Sequence, residues 1–327
     1  MKIVFLLITI FLFACEGGKN TKYIPKSSGS INTITAVMSS NQWKGDLGEL
    51  IRENFSEEYK GLPQQEPVFN VNFIPLRAFS GFARENRNII LIQKDSISAS
   101  SFKRNLYASP QLLFKISGKN VSEISYNFLS QKKKMFTLFK NHELIEKTRR
   151  IKLSLMNTSK LRSTLSIDLQ IPSIYNVFSV SYNQKSIWIQ KETKKGSMNI
   201  IVRELNNFDE LNQYNLDKVI STRDSVGAMF VPGRNPNSHM ITEKAYEPYI
   251  SKAKLNGFES VETRGTWELT KDFMAGPFIN YIIRDTINKR NLFIDGFVFS
   301  PSSLKREMIF ELEAIFKSLK IYNKQNK

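Results

Sequence analysis

Cysteine and histidine are scarce in this 327-residue chain, which has one cysteine, Cys15, and two histidines. A single cysteine excludes an intramolecular disulfide, and two histidines exclude a three-histidine metal site within one chain. The patterns of a P-loop and of a Gly-x-Ser-x-Gly nucleophile elbow are also missing. We therefore predict a protein that has no cofactor or bound metal. The same absences favour a non-enzymatic protein over an enzyme.

Long apolar runs are also missing, except at the N-terminus, where residues 3–13 contain one polar side chain, Thr9. The run follows Lys2 and is too short for a permanent membrane span, as is typical of a secretory signal. Residues 12–15 (Leu-Phe-Ala-Cys) match a lipobox, the site at which lipoprotein signal peptidase cleaves. We predict a signal peptide over residues 1–14 and palmitate-type acyl chains on Cys15, which then holds the protein on a lipid bilayer. The alternative is an ordinary secretory signal with a chance cysteine.

Residues 15–30 are rich in Gly, Ser and Lys, which predicts a lipidated, flexible tether. The tether has no acidic run, so we expect a cell-envelope protein that faces the periplasm. The rest of the chain is long enough for two domains. We predict an N-terminal domain over residues 31–160, the first half, and a C-terminal domain over residues 161–322, the second half.

Acidic residues are outnumbered, since 47 Lys and Arg stand against 30 Asp and Glu, a formal net charge of +17. Such a charge favours anionic partners, and export makes an envelope polymer or lipid headgroups better candidates than nucleic acid. A lysine-rich overall composition explains the charge equally well. The most basic stretch, residues 119–162, predicts a helix that either faces headgroups or packs one apolar face on a sheet and leaves the other in solvent.

Hydrophobic periodicity predicts strands and helices grouped along the chain, which indicates an α+β fold with antiparallel or mixed sheets. In the first half, strands at 31–38, 69–76, 88–94 and 111–117 with helices at 41–55 and near 101–107 give the order β-α-β-β-α-β. This order fits a ferredoxin-like fold. A long helix is predicted to follow at 121–157.

The second half could form a similar α+β unit. We predict strands at 165–171, 176–183, 186–192, 198–204, 257–269, 277–287 and 291–299, with residues 183–185 and 194–196 as hairpin connections. A helix is expected at 208–226, and a last helix begins at residues 301–303 with a serine as its N-cap. In that last helix, Glu313 and Lys317 are expected one turn apart on the polar side.

Several short motifs in the second half resemble those of the domain of unknown function 4837 family of bacterial lipoproteins. They are Val231-Pro232-Gly233, residues 238–243, Arg264-Gly265-Thr266-Trp267, residues 274–278, residues 296–301 and the Lys305…Glu313-Ala314 helix. Thr266 and Ala275 stand where the family would have Leu and Gly. The resemblance covers nearly the whole mature chain and implies an envelope lipoprotein. It carries over no catalytic residue.

The best candidate for a ligand site is the segment around Gly265, where a glycine permits close backbone approach. Arg264 could clamp an anionic group and Trp267 could stack on a sugar ring. The remaining candidates for the same cleft are His239, Glu243, Gly276 and Phe278. The alternative is that the aromatic residues belong to the core and that Arg264 ties a turn.

Two functions follow from these features. The first is a non-enzymatic envelope lipoprotein that binds a partner protein, lipid or glycan, or that assists assembly. The second is a carboxylate-dependent hydrolase of peptidoglycan or polysaccharide, because two acidic side chains can catalyse glycoside hydrolysis. Its candidate carboxylates are Glu262, Glu268, Asp272 and Asp285.

Overall fold

A computed structural model describes residues 23–205, 208 and 210–324. The predicted signal peptide, Cys15 and the first part of the tether lie outside the described residues. The elements of the first half are β1 (Thr33–Met38), α1 (Ser40–Lys44), α2 (Asp46–Phe55), β2 (Asn70–Pro75), β3 (Asn88–Lys94), β4 (Ala99–Arg104), β5 (Leu112–Gly118) and α3 (Val121–Ile151).

The second half contains more strands than the first. Its elements are α4 (Ser159–Leu165), β6 (Ile167–Asp168), β7 (Asn176–Ser181), β8 (Ser186–Thr193), β9 (Gly196–Leu205), α5 (Leu216–Phe230), β10 (Met240–Thr242), β11 (Tyr249–Leu255), β12 (Phe258–Leu269), β13 (Asp272–Asp285), β14 (Arg290–Phe299), α6 (Arg306–Phe316) and β15 (Lys320–Ile321). The α+β class predicted from the sequence is confirmed. Within the described residues, no helix combines the length and hydropathy needed to cross a membrane.

The first sheet is mixed, with strand order β2-β1-β3-β5-β4. Strands β2, β1, β3 and β5 are parallel, and only β4 at the edge is antiparallel. The ferredoxin-like arrangement is therefore not confirmed, since that fold is built on an antiparallel sheet. The helix predicted near residues 101–107 is also wrong, because β4 occupies Ala99–Arg104 and pairs with β5. Pairing to an open sheet edge outweighs the weak local helix preference.

Helix α3 covers one face of this sheet. Its buried side chains recur at helical spacing and include Ile124, Phe128, Met135 and Phe139. They join a cluster that contains Phe55 and side chains of β1, β3 and β5. Of the two interpretations of the basic stretch, inner-face packing on a sheet is observed. The helix predicted at 41–55 is interrupted at Gly45, which ends α1 and begins α2.

The second sheet is antiparallel throughout and has eight strands. Its order is β10-β12-β13-β14-β9-β8-β7, and β11 pairs with β12 beside β10. One face carries the apolar cluster under α5, and the other packs against α6 and the first half. The sequence suggested two similar α+β units, but the two sheets differ in strand number and direction, so the halves are not similar. The predicted hairpin connections at 183–185 and 194–196 are confirmed by the pairing of β7, β8 and β9.

Helix α6 joins the two halves, and its start differs from the prediction. It begins at Arg306, and no serine side chain caps it. The carboxylate of Glu66, in the first half, accepts the backbone N–H groups of Lys305 at 2.6 Å and Arg306 at 3.0 Å. Glu66 is buried. A negative charge at this position satisfies free backbone donors and favours the helix dipole.

Candidate functional site

Arg264 lies at the centre of a buried polar cluster between the two halves. Its Nε is 2.6 Å from Glu262 Oε1, and its Nη2 is 2.8 Å from Oε2 of Glu313 on α6. Its Nη1 donates to the Tyr59 hydroxyl at 2.9 Å, and that hydroxyl donates to Glu313. The Tyr281 hydroxyl donates to Glu262. Arg264 therefore connects one strand, one helix and one loop.

The charges of this cluster stabilise one another. Burial by itself would raise the pKa of Glu313, but the positive charges of Arg264, Lys140 and Lys317 lower it to about 2. Burial raises the pKa of Tyr59 well above its usual value, so the phenol stays protonated. Glu313 was expected on the polar side of its helix, yet its side chain is 2 % exposed. The predicted pair with Lys317 is present at 3.9 Å.

Trp267 does not share a cleft with Arg264. The two residues are three positions apart on β12, and successive side chains of a strand point to opposite faces. Trp267 is buried in the cluster under α5, contacts the Phe297 ring, and donates from Nε1 to the Val298 carbonyl at 3.2 Å. It cannot stack on a ligand there. Trp267 is thus a core aromatic residue, as the alternative interpretation stated.

Gly276 and Phe278 also serve the core rather than a cleft. A Cβ at Gly276 would lie 1.9 Å from the Val298 carbonyl oxygen, so no other residue fits. Phe278 is buried, and the guanidinium of Arg223 lies 3.7 Å from its ring centroid. Arg223 forms a buried ion pair with Asp295.

His239 and Glu243 are half-buried, and their contacts are made through the backbone. The N–H of His239 donates to Thr270 Oγ1 at 3.2 Å, and the N–H of Glu243 donates to the Thr266 carbonyl at 2.9 Å. They flank β10 at the edge of the sheet. The structure therefore separates the seven predicted residues. Gly265 lies beside a space between the halves, and Arg264 lines an adjoining cavity.

That space is a cleft of about 460 Å³ at the edge of β12. The edge pairs with β11 up to Arg264 and with β10 from Trp267 onwards, so Gly265 and Thr266 lie where the partner strand changes. The chain between β10 and β11 forms one wall of the cleft, and a loop of the first half forms the other. The cleft is lined by Glu58, Gly61, Leu62, Pro63, Gln65, Tyr246, Glu247, Tyr249, Gly265 and Thr266.

Gly61 brings the loop of the first half against β12. Its φ is +82°, and a Cβ there would lie 2.7 Å from the Arg264 Cβ. A glycine is needed both for the left-handed backbone and for the close approach. The cleft thus depends on Gly61 for the close approach of its two walls.

The lining offers flat apolar surface and hydrogen-bonding groups together. Tyr246 and Tyr249 are 70 % and 48 % exposed. Glu58 and Glu247 add carboxylates, and Gln65 adds an amide. Thr266 lines the cleft, and its buried hydroxyl has no hydrogen-bond partner among the described residues. Because buried polar atoms are normally satisfied, this hydroxyl keeps an unused hydrogen-bonding capacity at the wall of the cleft.

A second cavity of about 270 Å³ adjoins the first and shares Glu58 and Tyr249 with it. The Lys60 ammonium lies 5.2 Å from the Tyr249 ring centroid. Glu262 and Arg264 form part of its lining. The two cavities together make a groove, the junction cleft, along the boundary between the halves.

The four carboxylates considered for hydrolysis do not form a pair. Glu262 is bound to Arg264, Asp285 is buried against Arg290, and Asp272 accepts from Asn235. Glu268 is half-buried on β12. Among the described residues, no group of three His, Cys, Asp or Glu side chains could hold a metal ion.

Sequence reasoning missed the tyrosines of the cleft and the partners of Arg264. Tyr59 and Glu58 follow α2 in a loop that has no motif, and Tyr246 and Tyr249 fall between motifs. The one local signal for the cleft was Gly265, because a glycine within a strand often marks a place where another segment of backbone approaches closely.

Comparison with known proteins places this α+β chain in one family. The model of the family described as Domain of unknown function (DUF4837) matches residues 154–318, and the chain belongs to this family. A second model, Domain of unknown function (DUF8532), matches residues 27–152. Two models of uncharacterised domains thus cover the two sheets separately.

Other comparisons add little. No curated protein matches the chain. One solved structure, described as LpqN involved in cell envelope biogenesis of Mycobacterium tuberculosis, is similar at 13 % identity over 47 % of this chain and 82 % of that chain. Its TM-score is 0.29, so this likeness carries no argument about fold or function.

Proposed function

We propose that this protein is an envelope lipoprotein, anchored through acyl chains on Cys15 and facing the periplasm, whose body binds a ligand without catalysis. The N-terminal signal and the lipobox support the anchor. The first partner of the protein is therefore the lipid bilayer into which these acyl chains insert.

The ligand site is the junction cleft, and the ligand is a saccharide of the envelope. The observation that carries this assignment is the unpartnered, buried hydroxyl of Thr266 in a cleft rimmed by Tyr246 and Tyr249. Tyrosine rings pack on the apolar faces of sugars, and carboxylate and amide groups bond to their hydroxyls. The charged residues of the cavity that holds Tyr246 are Glu58 and Glu247, so a neutral or amino sugar fits there better than an anionic one. Lys60 and Lys140 line the adjoining cavity.

Binding is favoured over hydrolysis by the state of the carboxylates. A glycosidase needs one carboxylic acid with a raised pKa to protonate the leaving group. Glu313 has its pKa lowered to about 2, and both Glu313 and Glu262 are bound to Arg264. Glu313 is therefore held as an ionised structural partner, and Glu262 is occupied by its contacts with Arg264 and Tyr281.

The anchor is tested by mass spectrometry of the native protein and by membrane fractionation. Acyl mass on an N-terminal Cys15 and loss of membrane association after Cys15→Ala are expected. An intact Met1, or a free thiol at Cys15, would contradict the anchor.

The saccharide site is tested by calorimetric titration with chitotetraose and with soluble peptidoglycan fragments. Thr266→Val keeps the side-chain shape and removes the unpartnered hydroxyl, so affinity should fall about tenfold, equivalent to one hydrogen bond, while the melting temperature stays the same or rises. Thr263→Val is the matched control, because the Thr263 hydroxyl is also buried without a hydrogen-bond partner among the described residues but projects from the other face of β12. Equal affinity in both variants, or no binding of either probe by the wild type, would argue against the site.

A further inference from the structure

Three large apolar side chains lie side by side on the surface where the end of the first half meets the second half. Leu153 is 75 % exposed, Leu155 46 % and Ile174 58 %. Two antiparallel segments hold them together, because Leu155 forms a bridge with Pro172 and the Ser173 N–H donates to the Ser154 carbonyl at 3.0 Å. We name Leu153, Leu155 and Ile174 the apolar patch.

The apolar patch is bordered by basic side chains. Arg149 and Arg150, at the end of α3, share one carboxylate, Glu146, and Lys147 and Lys191 share Glu311. Two cations to each anion leave both groups with a formal charge of +1, and Lys152 is exposed beside them. Burial by itself would raise the pKa of Glu146, but the hydrogen bonds from Arg149 and Arg150 outweigh it and lower the pKa.

A shallow cavity opens between the apolar and basic residues. It has a volume of about 270 Å³, and Lys147, Arg150, Leu153, Ile174 and Lys191 are among its lining residues. Exposed apolar side chains surrounded by cations are the composition of surfaces that lie in the interface of anionic bilayers.

The chain enters the body beside this surface. The carbonyl of Gly29 accepts a hydrogen bond from Arg150 Nη2 at 3.1 Å and another from Arg87. Upstream of Gly29 the chain is already bound to the body, because the Ser109 N–H donates to the Pro25 carbonyl at 2.8 Å. Cys15 precedes Pro25 by ten residues, which span at most about 36 Å when fully extended. A lipid on Cys15 would therefore hold the body within reach of the membrane.

We infer that the apolar patch and its basic border form a docking surface for an anionic lipid bilayer, which fixes the orientation of the anchored body. This inference rests on the proposed anchor and adds a second, reversible contact to it. Leu153, Leu155 and Ile174 enter the acyl boundary, and Arg149, Arg150 and Lys152 contact phosphate groups. The sequence left open a helix that faces lipid headgroups. In this inference only the last turn of α3 and the segment after it face the headgroups.

An exposed aromatic residue far from the apolar patch supplies the control position. Phe273 is fully exposed near the start of β13. In the strand order of the second sheet, β12 lies next to the β10 edge, whereas the turn containing Ile174 precedes β7 at the opposite edge. A docked body should bring residue 153 to the bilayer and leave residue 273 in water.

The experiment uses the full acylated chain in vesicles, with an environment-sensitive fluorophore on a new thiol at Leu153→Cys or Phe273→Cys. Vesicles contain phosphatidylcholine alone or with phosphatidylglycerol. We expect a blue shift and protection from iodide at position 153 only in vesicles that contain phosphatidylglycerol. Both signals should become smaller in about 0.5 M salt, because salt screens exposed charges. Lys152→Glu should also make both signals smaller. Position 273 should not respond.

The outcomes separate docking from anchoring, because acyl mass on Cys15 is measured on the same preparation. A shift at residue 153 without acyl mass would support docking and contradict the anchor. An unshifted residue 153 on an acylated chain would overturn docking and leave the anchor intact. A shift at residue 153 before vesicles are added would mean that a second copy covers the patch, and a shift at residue 273 instead would mean another orientation. Either result overturns the inference.

Discussion

Arg264 and Glu313 are 49 residues apart and form a buried ion pair, with Nη2 2.8 Å from Oε2. The pair joins β12 of the second sheet to α6 and, through Tyr59, to the first half. It therefore connects the wall of the junction cleft to the helix that holds the halves together.

Removing one member of this pair should destabilise the protein strongly. Arg264→Met or Glu313→Gln should each cost about 3–5 kcal/mol in the free energy of unfolding, since the other group loses its partner in a buried site. The double variant should cost less than the sum of the single changes. Urea unfolding measures all three, and strictly additive costs would contradict the coupling. Glu49→Gln is the control, because the Arg52–Glu49 pair is exposed and is worth about 0–1 kcal/mol.

Glu66→Ala should also lower stability, although Glu66 belongs to no helix itself. The change removes two hydrogen bonds to the start of α6 and a negative charge at its N-terminus. A loss of about 1–2 kcal/mol is expected by thermal or urea unfolding. Glu53→Ala, an exposed change within α2, should stay within about 0.5 kcal/mol of the wild type. Similar losses in the two variants would mean that the Glu66 cap contributes nothing specific.

Stability should fall with pH below neutrality because of His142. Burial, together with the charges of Arg87 and Arg104, lowers its pKa from 6.5 to about 4. Between these values the unfolded chain takes up a proton that the folded protein does not, so stability present above pH 6.5 is lost as the pH falls, by up to about 3 kcal/mol at pH 4. Urea midpoints at pH 7, 5.5 and 4 measure the slope. His142→Gln should flatten it, and an unchanged slope in that variant would assign the effect to other groups.

Gly61→Ala should damage both the fold and the cleft. The new Cβ would lie 2.7 Å from the Arg264 Cβ, at a residue whose φ is +82°. Gly257→Ala is a matched control, because φ is +92° there and a Cβ would meet nothing within 4 Å. Both variants should lose about 1 kcal/mol from backbone strain, and Gly61→Ala should lose at least about 1 kcal/mol more. It should also weaken chitotetraose binding. Equal losses would show that the loop can move away from β12 freely.

Local patterns predicted most of the elements. The strands at 258–269 and 290–299, the long helix from Val121 and both hairpin turns of β7, β8 and β9 were found because hydrophobic periodicity and turn residues act within a few positions of one another. The parallel pairing of β1, β2, β3 and β5 was missed, because strand direction depends on connections and not on the strand itself. The division into domains at residue 160 stays a prediction, and one apolar cluster includes side chains from both sides of it.

The candidate site was predicted only in part. Gly265 and Arg264 do lie at the cleft, but Trp267 was assigned to the same cleft although a strand places it on the opposite face. A correct strand prediction with strict alternation would have separated the two. Tyr59, Gly61 and Tyr246 could not have been found, because nothing local shows which loop will face β12.

The sequence by itself determined the α+β class, the membership of the family and the expected lipid anchor on Cys15, because each depends on residues close together in the chain. Only the tertiary structure decided that Glu66 caps a helix 239 residues away and that Glu313 is buried beside Arg264. It also brought Leu153 beside Ile174. The physical reason is that burial and charge pairing depend on which distant segments meet, and that is settled when the two sheets pack against α6.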